Sequence, residues 1–184
     1  MGQRVAGTPA RGVEVSESSE RPVSASGADL FKVAFDLEAE REDWPPVSVE
    51  RLWGEKTEVR FEIRVVNTPF FVPGIAYGDL IRVRPDNERR ELVFESFASE
   101  SGHSTIRVVF LRRNLRESVE NQFRDAGCSW ETTSRFNLLA VDIPPTVNYA
   151  EVRPWLAQRR ESGDLEFQES AISTLHRSQV NSTS

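Results

Sequence analysis

Two histidines, His103 and His176, and one cysteine, Cys128, are the side chains of this 184-residue chain best suited to proton transfer or thiol chemistry. His103 stands in Ser101-Gly102-His103-Ser104-Thr105, a histidine among hydroxyls where a loop enters a strand. Imidazole titrates close to neutrality, so one reading is a general base that works with Glu50 or Asp79 in a small hydrolytic site. The competing reading is architectural: Gly102 supplies a turn, and His103 and Ser104 satisfy nearby backbone groups. Adjacent strand residues point to opposite faces, which argues against a direct His103–Ser104 pair. Cys128 follows a helix C-terminus, the end of the dipole that does not favour a thiolate, and reads as a core residue. One cysteine and one usable histidine make no zinc set, and no paired Asp-x-Asp spacing occurs, so no metal is expected. Gly74 and Gly78 lack a following helix and a Lys-Ser/Thr, so they form no phosphate loop, and no cofactor is expected.

The elements that must position these residues alternate with period two. Phe31, Val33, Phe35 and Leu37 predict a half-buried strand, which Trp44-Pro45-Pro46 interrupts. Further strands are predicted over Val49–Trp53, Val59–Val66, Leu80–Val83 and Leu92–Phe97, with a turn at Pro73-Gly74. Short strands at this spacing, without helical periodicity, predict a small antiparallel barrel-like half over residues 29–103. Residues 104–172 read as strand, helix, strand, strand, helix, strand. The first helix is expected to be capped by Asn114 with Glu117, and the second by Asn148 with Glu151. Pro154 conflicts with a helix that opens at Asn148, because proline in a helix interior costs about 3 kcal/mol. The order nonetheless predicts a ferredoxin-like half. The fold class is therefore α+β, with residues 1–28 and 173–184 expected as disordered tails, since neither can bury enough to offset its ordering entropy.

Composition narrows the function. Cys128 stands alone, so no internal disulfide can form, and no apolar run reaches the roughly 18 residues of a membrane span. No apolar segment follows Met1 as a secretory signal would require, so a cytoplasmic location is expected. Residues 29–103 carry 16 acidic and 10 basic residues, whereas residues 104–172 carry 10 and 9. The first half is thus a poor match for phosphate backbones and a better one for a basic protein. Arg107, Arg112, Arg113 and Arg116 leave an RNA-binding alternative. The single aromatic of the strand at Phe136–Ile143 speaks against it, and nucleic acid is not the expected partner.

Four ordered blocks carry a resemblance. They are Trp44-Pro45-Pro46-Val47-Ser48-Val49-Glu50-Arg51-Leu52-Trp53, Asn67-Thr68-Pro69-Phe70-Phe71-Val72-Pro73-Gly74-Ile75-Ala76-Tyr77-Gly78-Asp79, Ser101–Val108 and Leu139–Pro145. Together they resemble a bacterial family known as domain of unknown function 4265, and the resemblance implies a soluble bacterial protein without an assigned activity. The first three blocks place aromatics beside polar residues: Glu50 with Trp53; Asn67 with Phe70, Tyr77 and Asp79; His103 with Arg107. If they converge where the two halves meet, they frame a pocket for a small ligand or a protein partner. The leading expectation is a non-enzymatic binding or regulatory module, of the immunity or partner-sequestering kind.

Overall fold

The computed structural model describes residues 29–39, 44–133 and 136–182. Residues 1–28, expected as a disordered tail, lie outside them. The protein is α+β, with two sheets and three α-helices among the described residues.

The alternation in the first half becomes β1 (Leu30–Asp36), β2 (Val49–Lys56), β3 (Glu62–Val65), β4 (Leu80–Asp86) and β5 (Glu91–Ser99). Successive strands pair antiparallel, and β5 returns to pair in parallel with β1, so the five form a ring. Val33, Phe35, Leu52, Ile63, Val65, Ile81 and Val83 fill its interior, where Phe35 stacks on Phe94 at 4.8 Å. Gly54 allows the close approach of β2 to β3, since a Cβ there would run into the Ile63 side chain. The strand expected from Val59 is shorter than its alternation implies. Residues 58–61 form a turn in which Phe61 has φ +60°, and Val59 and Phe61 stay exposed.

The second half comprises β6 (Ser104–Phe110), α1 (Arg116–Asp125), β7 (Ser129–Thr132), β8 (Leu138–Ile143), α2 (Tyr149–Glu161) and β9 (Leu165–Ala171). Its sheet runs β7-β8-β6-β9 with every pair antiparallel. Ile106, Val108, Leu139, Val141 and Ile143 pack on one face against Val119, Phe123, Val152 and Leu156 of the helices. The other face is covered too. Leu138 and Ala140 lie against Val47, Phe70 and Phe71, so the seam between the halves is itself an apolar core.

Two expectations change, and the conflict at Pro154 is resolved. Asn114 does not cap α1, because a 3-10 turn at Arg113–Leu115 intervenes and α1 starts without a side-chain cap. Asn148 does cap α2, accepting from Ala150 N–H, and the helix runs through an exposed Pro154. The buried Tyr149, Val152 and Leu156 supply the packing that offsets the proline. Residues 173–184 were expected to be disordered, yet Thr174–Asn181 form a third helix, α3, capped by the Ser173 hydroxyl. Polar contacts join apolar ones in holding it: Gln179 Oε1 accepts the Tyr149 N–H at 2.8 Å, His176 is fully buried, and Val180 packs on the core.

Candidate functional site

His103 sits just before β6, and the path to it is set by Gly102, whose φ of +89° suits glycine. Its Nδ1 lies 2.8 Å from Asp142 Oδ1 on β8, and Ser129 Oγ donates to the other carboxylate oxygen at 3.4 Å. A carboxylate only accepts, so it keeps the proton on Nδ1 and leaves Nε2 with the lone pair. Burial pushes the Asp142 carboxyl above its ordinary value, while His103 and Ser129 pull it down. Tyr77 packs its ring on the imidazole at 5.2 Å. The carboxylate at His103 is therefore Asp142, and the expected pairing with Glu50 or Asp79 is corrected. The register that sets Asp142 opposite Thr105 brings it there.

His103 lines a cleft of about 560 Å³ between the halves. The ring side contributes Ala76, Asp79, Phe97 and Glu100, and the other side Tyr149, Arg153, Glu169 and, from α3, Arg177. Asp79 serves the wall itself: its two oxygens accept the amides of Ala76 and Ser101, each at 2.8 Å. Burial raises its carboxyl, with the nearby Glu100 charge adding to the effect. Neither serine flanking the His103 turn is placed as its nucleophile. Ser101 Oγ donates to the Tyr77 carbonyl at 2.6 Å, and Ser104 is fully buried. Ser104 instead partners the second histidine. Its Oγ lies 2.7 Å from His176 Nδ1 and accepts the Ser173 N–H at 2.9 Å.

The remaining candidates do not reach this cleft. Glu50 is buried in the seam, where its carboxylate accepts the amides of Phe70, Phe71 and Val72 at 2.7–2.8 Å. Burial raises its carboxyl, and those amides together with Arg107 oppose the shift. Arg107 is buried in the same seam, donating to Gln168 Oε1 at 3.0 Å with its guanidinium over the Trp44 ring. Phe70 is core. Asn67 Oδ1 accepts the Trp53 N–H at 2.7 Å, a tie within the ring, and the Trp53 indole carries Lys32 on its face. The eight residues thus divide: Asp79 and His103 meet at the cleft with Tyr77 packed behind His103, Glu50, Phe70 and Arg107 hold the seam, and Trp53 and Asn67 brace the ring.

Cys128 is buried, and its thiol is pushed up to about 12 by burial, with the Asp142 charge adding to the effect. No group of three or more metal-ligating side chains converges among the described residues, and none of their helices is long and apolar enough to cross a membrane.

Comparison with known proteins gives the family. Residues 50–167 match the family described as Domain of unknown function (DUF4265), and the chain belongs to it. No curated protein matches. A solved structure described as a novel crystal structure of a hypothetical protein from Neisseria gonorrhoeae is similar in fold, with a TM-score of 0.59 at 16% identity. The match covers 77% of this chain and 96% of that one.

Proposed function

We propose that this protein binds a small polar molecule in the cleft between its two halves, with His103 as the group that exchanges a proton with it. The observation that carries this reading is the 2.8 Å contact between His103 and Asp142 at the wall of that cleft. A buried carboxylate that fixes the tautomer of a cleft histidine is an arrangement suited to general acid–base work. With no serine in register, any hydrolysis would act through water rather than through a covalent intermediate.

Small molecules carried through purification from native cells, released and weighed by mass spectrometry, test the reading. A species near one per chain is expected with the wild type, and roughly tenfold less with His103→Gln or Asp142→Asn. No such species, or equal amounts in all three proteins, would sink it.

A second reading keeps the partner-binding, regulatory role. It is supported by Val59 and Phe61, exposed at 47% and 44% on the turn before β3 in the acidic half. RNA binding gains no support, because the sheet face that would stack bases is covered by Phe70 and Phe71. In fold terms we read the β7-β8-β6-β9 unit as ferredoxin-like and the five-strand ring as a small barrel.

A further inference from the structure

The hydrogen-bonding groups that line the cleft differ in how far they are already used. Each of its three carboxylates already accepts a protein donor, Glu100 and Glu169 through one oxygen each. Asp79 takes two backbone amides. Glu100 Oε2 takes the Thr174 N–H at 3.0 Å, at the start of α3. Glu169 Oε1 takes both the Tyr149 hydroxyl at 2.7 Å and Arg153 Nε at 2.8 Å.

The donors are less used. Arg153 commits only Nε, and its charge is met by Glu169. Arg177 gives one Nη2 bond, 3.1 Å, to the neutral carbonyl of Ile172, and makes no ion pair among the described residues. That bond ties the guanidinium to the chain just before its own helix and leaves the rest of the fork for another acceptor. His103 adds no donor to this count, since Asp142 holds its proton on Nδ1 and Nε2 carries the lone pair.

From this imbalance we infer that the cleft takes a small molecule bearing a carboxylate or phosphate group, and that Arg177 receives that group. The inference rests on the cleft reading above and names the class of its ligand. A planar guanidinium matches the oxygens of either anion, and such charge-assisted bonds are about twice as strong as neutral ones. Arg177 is exposed at the cleft edge, so an anion reaches it directly from solvent. The far end of the same ligand then lies toward His103, where the proton is exchanged.

Nuclear magnetic resonance of the full-length, nitrogen-labelled chain tests the inference. Inorganic phosphate and malonate are titrated separately at fixed ionic strength, with putrescine and glucose as cationic and neutral probes. At least one anion is expected to move the Arg177 Nε–H signal and the amides of residues 172–181 along a saturating curve. Which anion saturates at the lower concentration separates phosphate from carboxylate. Arg177→Gln weakens that binding roughly tenfold or more, and Arg177→Lys falls between, having kept the charge but lost the fork.

Anion shifts unchanged in Arg177→Gln, or equal at distant arginines such as Arg113, would overturn the inference. Shifts at the cleft with putrescine or glucose alone would overturn the anion class while the cleft reading stands. No perturbation of the cleft by any probe would count against both.

Discussion

Glu50 accepts three consecutive amides from Phe70, Phe71 and Val72 while almost wholly removed from water. A carboxylate has the lone pairs for this; a primary amide does not, because one of its two ends is a donor. Glu50→Gln should therefore leave at least one buried N–H unmatched and cost about 3 kcal/mol. Urea unfolding checks it: the midpoint is expected to fall at unchanged slope. Glu50 was visible in the sequence as a polar residue among strand-forming neighbours, but its type alone did not say whether it faces a ligand or its own backbone. His103 was legible as the one histidine placed to do chemistry, and its partner was only half so. Asp142 is the lone carboxylate of the apolar run Leu138–Ile143, a signal in itself. Its pairing with His103 depends on strand register across some forty residues, which no local spacing carries.

At the scale of elements, α3 shows where local patterning fails. Its leucine, Leu175, is exposed and its histidine is buried, the reverse of what hydropathy ranks. His176 faces Ser104 of β6 and the Tyr149 ring of α2, with the carbonyls of Pro144 and Val147 beside it and His103 nearby. Burial, aided by His103, holds its imidazole below the ordinary value of 6.5, and those carbonyls oppose the shift. Docked His176 is therefore neutral, and a released helix binds a proton more readily than a docked one. Docking is at full strength above about pH 6.5 and weakens as pH falls through that value toward the lower, docked one. Amide exchange over residues 175–181, corrected for intrinsic rate, should be faster relative to the core at pH 5.5 than at pH 7.5. In His176→Gln that difference should disappear. By contrast β1 was readable from its alternation and β8 from an unbroken apolar run, the mark of a strand with a core on each face.

The whole molecule is joined by its seam. Leu138 and Ala140 on one side, and Val47, Phe70 and Phe71 on the other, make a core that neither half has alone. Backbone ties cross it as well, from Gly74 N–H to the Ser170 carbonyl at 2.9 Å and from Thr68 N–H to Glu131 Oε1 at 2.8 Å. Residues 104–182 expressed alone should expose that sheet face and so bind a hydrophobic dye and self-associate, while the intact chain does neither. Light scattering and dye fluorescence decide it. If the excised piece stays monomeric and silent to the dye, the seam is not what keeps the halves together. The strands before and after residue 103 fall into two sheets, and the sequence pattern breaks near the same point. The cleft between the halves could not be read from that pattern, because its walls come from loops and from α3, whose meeting is a property of the assembled chain.

Closure of the ring has a kinetic consequence. β1 meets β5 through two parallel pairs only, Val33 with Leu92 and Ala34 with Val93, while β1–β2 and β4–β5 are long antiparallel pairings of neighbours in the chain. Neighbouring strands find each other quickly, and contacts between distant segments form slowly. Sealing the ring therefore comes after its hairpins, and until then β1 and β5 each present an open edge to other chains. The pairing that joins the ends of the ring thus decides how long a newly made chain stays exposed to wrong partners.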